Sequence, residues 1–427
     1  MEYNILNYGA IPDGKTLSTA AIQSAIDDCN KNGGGRVVIP TGKFYSGTVY
    51  LKDNVELHLE LGAVLLASGN MDDYNPDDAY YQNYGFAPEG WRAKHLIIAA
   101  EVDRVAVTGL GTIDGNGESF RKEPTPPASH DYVWMYGMSR IKDDEVMRPG
   151  QLIVFAECTN VYVEGITIIN APCWSVFLYG CDYVRVHGIQ VFNHKTALNT
   201  DGIDIDCCRY VTVSDCNIET GDDAITFRTA THRLRRERPC EYITVTNCNL
   251  AVSASAFRIG VGTGHIRHIR VSNITIERAS KGIHFMTSYN GKGAAEIEDV
   301  NFSDVSINFC SFPIKFEGDR SYIKDITVEN VRAKHCIAGL RIIPAEECSV
   351  SNVTLRDVEF TVKKEEREIT PNNIARRGAY MLEVWKSKNI TLDRVRLHTD
   401  EDALQFWSGK HYFAQPEEVT LRNCEID

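Results

Sequence analysis

Asp201, Asp222 and Asp223 are the residues whose type and spacing could do acid–base chemistry. They lie in two acidic segments, Asn199-Thr200-Asp201-Gly202-Ile203-Asp204 and Gly221-Asp222-Asp223, with Asp222 falling 21 residues after Asp201. That interval resembles the spacing of a repeat that runs through most of the chain. If one repeat is one coil of a parallel β-helix, Asp201 and Asp222 sit on neighbouring rungs, roughly 4.8 Å apart. Carboxylates that close repel, so at least one is expected to have a raised pKa and to hold a proton near neutrality. A protonated acid beside an ionised base is the pairing that hydrolysis of a glycosidic bond uses. For Gly-Asp-Asp alone a solvated turn is the better reading, and Asp201 one coil earlier is what turns the balance toward chemistry. Asp204 and Asp206 alternate with Ile203 and Ile205, and either could assist.

The elements that must position these groups read as a solenoid. Short alternating segments recur, among them Asn160-Val161-Tyr162-Val163, Tyr183-Val184-Arg185-Val186, Tyr210-Val211-Thr212-Val213, Tyr242-Ile243-Thr244-Val245 and His268-Ile269-Arg270-Val271. The series continues at Asp325, Asn352, Asn389 and Glu418. Alternation predicts strands with one buried face, and fixed-interval repetition predicts stacked coils. A β-sandwich would place Asn-Gly or Asp-Gly hairpins between paired strands; here Gly and Asn mark bends at repeating offsets. Residues 16–32 break the pattern. Ser18 and Thr19 are candidate N-caps, and Ile22, Ala25 and Ile26 have helical spacing, so a short helix is expected to cover the open end. Asp222 and Asp223 can share a cleft only where the backbone bends, and Gly221 permits such a bend.

The chain has 427 residues, 43% of them hydrophobic, and a formal net charge of −13. We expect a single domain over 1–427: cap and first coils at 1–68, loop-rich coils at 69–150, central coils bearing the candidate site at 151–362, and final coils at 363–427. The acidic balance argues against nucleic acid or an anionic membrane as partner. No apolar run is long enough to span a bilayer, and no leader of basic and apolar residues opens the chain, so a cytoplasmic location is expected unless an export signal lies outside this sequence. The loops 70–94 and 116–150 are expected to wall a groove, and 363–380 is a third, highly charged stretch. Thirteen cysteines could suggest disulfides. Cys158, Cys181, Cys208 and Cys240 each precede a strand-like run by about two residues, which reads instead as an interior stack. No CxxC pair occurs, and neither a metal nor a cofactor is expected.

The stretch from Arg148-Pro149-Gly150 to Arg228 resembles the polygalacturonase family, glycoside hydrolase family 28. It carries Arg148-Pro149, Ala171-Pro172-Cys173-Trp174, and the two acidic clusters at one-coil spacing. The coiled pattern extends the likeness over nearly the whole chain. The resemblance implies an all-β, right-handed parallel β-helix and hydrolysis with inversion. It implies that Asp222 protonates the leaving oxygen while Asp201 and Asp223 activate the water. Stacked rungs alone would favour retention, since inverting carboxylates usually stand about 6.5–9.5 Å apart; the third carboxylate offers another way to hold the water.

The chain also departs from that family. Where pectin-cleaving members carry Gly-His-Gly before Ile-Gly, it has Ala254-Ser255-Ala256-Phe257-Arg258-Ile259-Gly260. Where they carry Gly-x-Arg-Ile-Lys, it has Gly282-Ile283-His284-Phe285-Met286. The family's histidine is missing, and the pair that holds a galacturonate carboxylate has become His284 and Met286. Arg258 is the candidate replacement, because a guanidinium holds a carboxylate bidentately. His284 is a candidate for sugar hydroxyls, and Asn199 and Ser255 complete the candidate substrate-binding set. Trp174 reads as core, and His232, His265 and His268 as surface. The expected substrate is a pectin-like polysaccharide or its oligosaccharides, of galacturonan or rhamnogalacturonan type. A polysaccharide lyase, whose acidic clusters could hold Ca²⁺, and a non-catalytic glycan-binding β-helix are the alternatives.

Overall fold

The computed structural model describes all residues except 76–93, 126–137, 142–147, 232–233, 290–292, 365–379, 406 and 427. Much of the three loop stretches, with the groove walls expected of the first two, and His232 therefore lie outside the described residues. The chain divides into two compact units, one containing Met1–Thr125, Met138–Asp222 and Ala230–Arg238, the other Asp223–Thr229 and Pro239–Asp427.

In the first unit, parallel strands stack into three columns, as expected of the coils of a right-handed parallel β-helix. One column runs Val49–Leu51, Ile97–Ala100, Ile153–Ala156, Val176–Tyr179 and Ile203–Asp206. A second runs from Gly35–Ile39 to Arg209–Ser214, and a third from Gly42–Ser46 to Asn217–Thr220. The second column shows the period-two pattern plainly: along Asp182–His187, buried and exposed residues alternate without a break. Val184 and Val186 face the core there, in register with Val161 and Val163 before them and Val211 and Val213 after them. Each buried Val contributes on the order of 1.5–3 kcal/mol relative to leaving it exposed.

The helix Thr19–Lys31 buries Ile22, Ala25, Ile26 and Cys29. It is tied to the first coils through Gln23, whose amide donates to the Tyr50 carbonyl at 3.1 Å while its oxygen accepts from the Tyr50 amide at 2.8 Å. Ser18 occupies the N-cap position, but its hydroxyl caps nothing. It accepts from the Ile11 amide at 3.3 Å instead, so the expected capping role is replaced by a clasp on the preceding segment.

In the second unit the ladders are continuous around corners. Glu296–Cys336 pairs in parallel with His265–Met286 along Glu296–Glu317 and with Leu340–Val362 along Ile314–Cys336. The core holds stacked aromatic rings: Phe285 lies flat on Phe316 at 4.5 Å, and Phe257 meets Phe302 edge-on at 5.2 Å.

One sequence expectation is corrected in both units. The first residue of every alternating segment named above except the one at Glu418 is a left-handed corner, not an extended strand residue. Asn160, Tyr183 and Tyr210 in the first unit, and Tyr242, His268, Asp325, Asn352 and Asn389 in the second, have φ between 52° and 58°. The left-handed region costs a non-glycine residue roughly 1–2 kcal/mol. Side-chain stacking between coils offsets that cost, with Tyr183 on Tyr210 at 5.0 Å and Tyr242 on His268 at 4.9 Å. At the Asn corners it is offset by hydrogen bonds from Asn352 to Asp325 and from Asn389 to Asn352, both 2.8 Å.

Candidate active site

Asp201 and Asp222 belong to the first unit, just outside the ends of the strands Ile203–Asp206 and Asn217–Thr220. Both are buried, with a carboxylate oxygen of one within 4.8 Å of an oxygen of the other. A web of backbone-directed hydrogen bonds fixes them. The Asp201 carbonyl accepts from the Ser175 amide at 2.8 Å. Asn193, buried below, donates to Ser175 Oγ at 2.8 Å and to the Thr200 carbonyl at 3.2 Å, and accepts from the Ala171 amide. Thr200 Oγ1 donates to the Ala197 carbonyl at 2.8 Å and accepts from the Gly221 amide at 3.2 Å, joining the two acidic segments. Thr220 Oγ1 donates to the Asp222 carbonyl at 3.0 Å.

Gly221 is needed here, though for a different reason from the one its sequence context suggests. Its φ is not among the positive ones. A Cβ at this position would lie 2.2 Å from the Ala197 carbonyl oxygen and 2.6 Å from that of His194. The glycine lets two backbones approach closely.

Asn199 has φ 52° and uses both its groups within the protein. Its amide donates to Asp222 Oδ2 at 3.1 Å, and its side-chain oxygen accepts from Arg148 Nη2 at 2.7 Å. Asp204 and Asp206 are buried with the whole strand around them, and Asp206 Oδ1 accepts from the Ala230 amide at 2.7 Å. Asp206 therefore ties down the segment at Ala230. Trp174 packs edge-on against Phe177 at 5.2 Å in a buried cluster, the core role expected of it.

Asp223 opens the second unit. Its Oδ1 accepts from the Ser255 amide at 2.7 Å, and its Oδ2 is ion-paired with Arg258 Nε at 2.7 Å. The Arg258 guanidinium also lies over the Tyr289 ring at 5.6 Å. In register with Arg258 along the sheet stand His284, Lys315, Arg341 and Glu383. The His284 ring is 1% exposed and held at both nitrogens: Nε2 lies 2.6 Å from Glu317 Oε1, and Nδ1 lies 3.4 Å from Ser255 Oγ. A carboxylate facing Nε2 fixes the proton there, so Ser255 donates to Nδ1. Burial pushes the His284 pKa down to about 4. Burial acts the other way on Glu317, but the hydrogen bond from His284 and the charge of Lys315, 2.7 Å away, outweigh it and hold its pKa below the usual carboxylate range. Arg341 and Glu383 form a further buried pair at 3.1 Å.

The structure thus assembles the sequence-derived residues into two groups, Asn199–Asp201–Asp222 in one unit and Asp223–Ser255–Arg258–His284 in the other. Sequence reasoning overlooked Lys315 and Glu317. Ile314-Lys315-Phe316-Glu317 repeats the alternation of Ile283-His284-Phe285-Met286 one coil on, and extending the register from His284 would have found them. His265 and His268 are surface residues, paired with Glu296 at 2.9 Å and Asp299 at 2.6 Å.

Stacked parallel coils carrying buried carboxylates at their strand ends define a parallel β-helix with an acidic candidate site, and similarity to known proteins narrows this. The family described as glycosyl hydrolases family 28 matches residues 29–320. The chain belongs to that family. It is 28% identical over 232 residues to a probable polygalacturonase of Vitis vinifera, a match covering 53% of this chain and 44% of the relative. It is 29% identical over 257 residues to an exo-poly-alpha-D-galacturonosidase of Dickeya chrysanthemi, covering 52% of this chain and 41% of the relative. The chain therefore matches less than half the length of each of these two. The fold is that of the family 28 exopolygalacturonase of Yersinia enterocolitica, with a TM-score of 0.72 at 22% identity, covering 100% of this chain and 78% of that one.

Proposed function

We propose that the protein is an inverting glycoside hydrolase that cleaves galacturonan-type polysaccharides or their oligosaccharides. Asp222 gives its proton to the leaving glycosidic oxygen, and Asp201 and Asp223 draw the proton from the attacking water. Family membership and the names of the relatives support the substrate class. The observation that carries the reading is the buried Asp201–Asp222 pair, with oxygens within 4.8 Å, on loops locked by Thr200 and Asn193. Two carboxylates so placed favour sharing a proton, which leaves one as acid and the other as base. General acid–base assistance of this kind accelerates a reaction by roughly 10²–10⁴-fold. The short Asp201–Asp222 separation would suit retention under the general spacing rule. Asp223 is the reason for proposing inversion, because it gives the water a base besides Asp201.

The test is a proton NMR time course on short oligogalacturonides, with wild type and Asp222→Asn. First-formed product of inverted anomeric configuration, and loss of at least about a hundredfold in rate in the folded variant, are expected. Retained configuration removes inversion. An unsaturated, UV-absorbing product lost with EDTA would make the protein a lyase, and glycan binding without turnover in both proteins would make it a binding module.

A further inference from the structure

Arg148 is buried at 2% exposure, and its guanidinium is spread over three points of the loops around Asp201 and Asp222. Nη1 donates to the Pro172 carbonyl at 2.8 Å and to the Leu198 carbonyl at 2.6 Å, and Nη2 donates to Asn199 Oδ1 at 2.7 Å. Arg121 donates to the same Pro172 oxygen at 3.2 Å and to the Ala171 carbonyl at 2.7 Å. Asn199, gripped at its side chain and at the preceding carbonyl, is held in the left-handed conformation. That conformation aims its amide at Asp222 Oδ2, 3.1 Å away.

We propose that Arg148 is a positioning residue for the proton donor. By fixing the Asn199 amide on Asp222 Oδ2, it reserves that oxygen as an acceptor and directs the transferable proton to Oδ1. A neutral carboxylic acid donates from one oxygen and accepts at the other, so an N–H anchored at Oδ2 selects which oxygen carries hydrogen. In the step itself the Oδ1–H bond breaks as the proton passes to the glycosidic oxygen. The bond from that oxygen to the anomeric carbon breaks with it and leaves its electron pair on the departing oxygen, while the attacking water bonds to that carbon and gives its proton to the carboxylate base. Lys cannot replace this grip, because a planar fork reaches three acceptors at fixed angles and an ammonium on a flexible stem does not.

This inference rests on the reading of Asp222 as acid, and the experiment separates the two. Wild type, Arg148→Gln, Arg148→Lys and Asn199→Gly are compared on an oligogalacturonide and on 4-nitrophenyl galacturonide, whose leaving group departs without a proton. Arg148→Gln is expected to lower kcat on the oligosaccharide by about 100-fold, the scale of lost general-acid assistance, and on the aryl substrate by less than about threefold. Its alkaline limb should move to higher pH, because an N–H donated to a carboxylate favours the ionised form and its loss favours the acid. Arg148→Lys, which retains charge and bulk, should share the leaving-group pattern. Asn199→Gly keeps a left-handed amide and should lose less than about tenfold. Equal losses on both substrates in an active background, with an unmoved alkaline limb, would make Arg148 structural. A wild type that turns over neither substrate would overturn the hydrolase reading, and this assignment with it.

Discussion

Burial drives the His284 imidazole down to about 4 from an ordinary 6.5, while Glu317 accepts its Nε2–H and takes Lys315 as counter-ion. The consequence is a stability that depends on pH. Between about 6.5 and 4 the unfolded chain takes up a proton at this histidine and the folded chain does not, so stability falls as pH falls through that window. Glu317, lowered in the fold, adds a loss in the same direction, beginning near its ordinary value of 4.5. Melting temperatures at pH 7 and pH 5 should therefore differ in wild type and converge in His284→Gln; a wild type with no difference removes the buried neutral histidine. The Arg258–Asp223 pair makes a second prediction at this scale. Because Arg258 Nε is committed to Asp223 at 2.7 Å, Arg258→Ala should act mainly on kcat, lowering it at least about tenfold with KM changed less than about threefold. The reverse pattern, strongest on acidic substrates, would restore the sequence-based expectation that Arg258 holds the sugar carboxylate.

At the scale of elements, the coil is what the sequence spells out, because a side-chain period of two repeated at one-coil intervals has few other solutions. The corners were not legible. Asn160 and Asn352 suit a left-handed residue, but Tyr183, Tyr210, Tyr242 and His268 carry no local signal for it, and only stacking on the neighbouring coil explains their choice. The acidic pair was readable from residue type and spacing. Arg148 was legible only as part of Arg148-Pro149 and not in its contacts, because its hold on the Pro172 and Leu198 carbonyls leaves no mark in side-chain identity. Gly221 was legible as a necessary glycine but not as a spacer. Gly221→Ala should consequently do more than stiffen a turn. Its Cβ meets backbone oxygens at 2.2 and 2.6 Å, so the segments His194–Ala197 and Thr220–Asp222 must separate. Overpacking of this kind costs roughly 1–3 kcal/mol and here also pulls Gly221 from Thr200. A lowered melting temperature with reduced kcat is expected; a variant as stable and active as wild type would mean that the two backbones do not pack this closely.

Across the whole molecule, the thirteen cysteines show how the repeat shapes the chemistry of the entire chain. All thirteen are free thiols, and every one except Cys424 is buried. Cys158, Cys181 and Cys208 recur just before strands in register, because that inward position of the coil takes a small apolar side chain and Cys fills it as a weak donor. Cys158 Sγ donates to the Ala99 carbonyl at 3.3 Å, Cys181 Sγ to the Phe155 carbonyl at 3.3 Å, and the Cys181 amide donates to Cys208 Sγ at 3.2 Å. The neighbouring Cys181 and burial push the Cys158 thiol far above its usual range, burial does the same to Cys181, and it lifts Cys310 to about 12. Only the thiolate is a nucleophile, so these groups should be inert in the folded protein despite their number. Brief treatment with iodoacetamide at pH 8 should modify Cys424 alone. The same treatment in guanidinium without reductant should modify all thirteen, and reductant should leave the melting temperature unchanged. Fewer than thirteen modifications in the unfolded, unreduced protein would reveal a disulfide framework and overturn the thiol stack. Rapid labelling of Cys158 or Cys181 in the native state would show instead that the coils open locally, and that the loops they carry are held less firmly than the hydrogen bonds around Asp201 and Asp222 require.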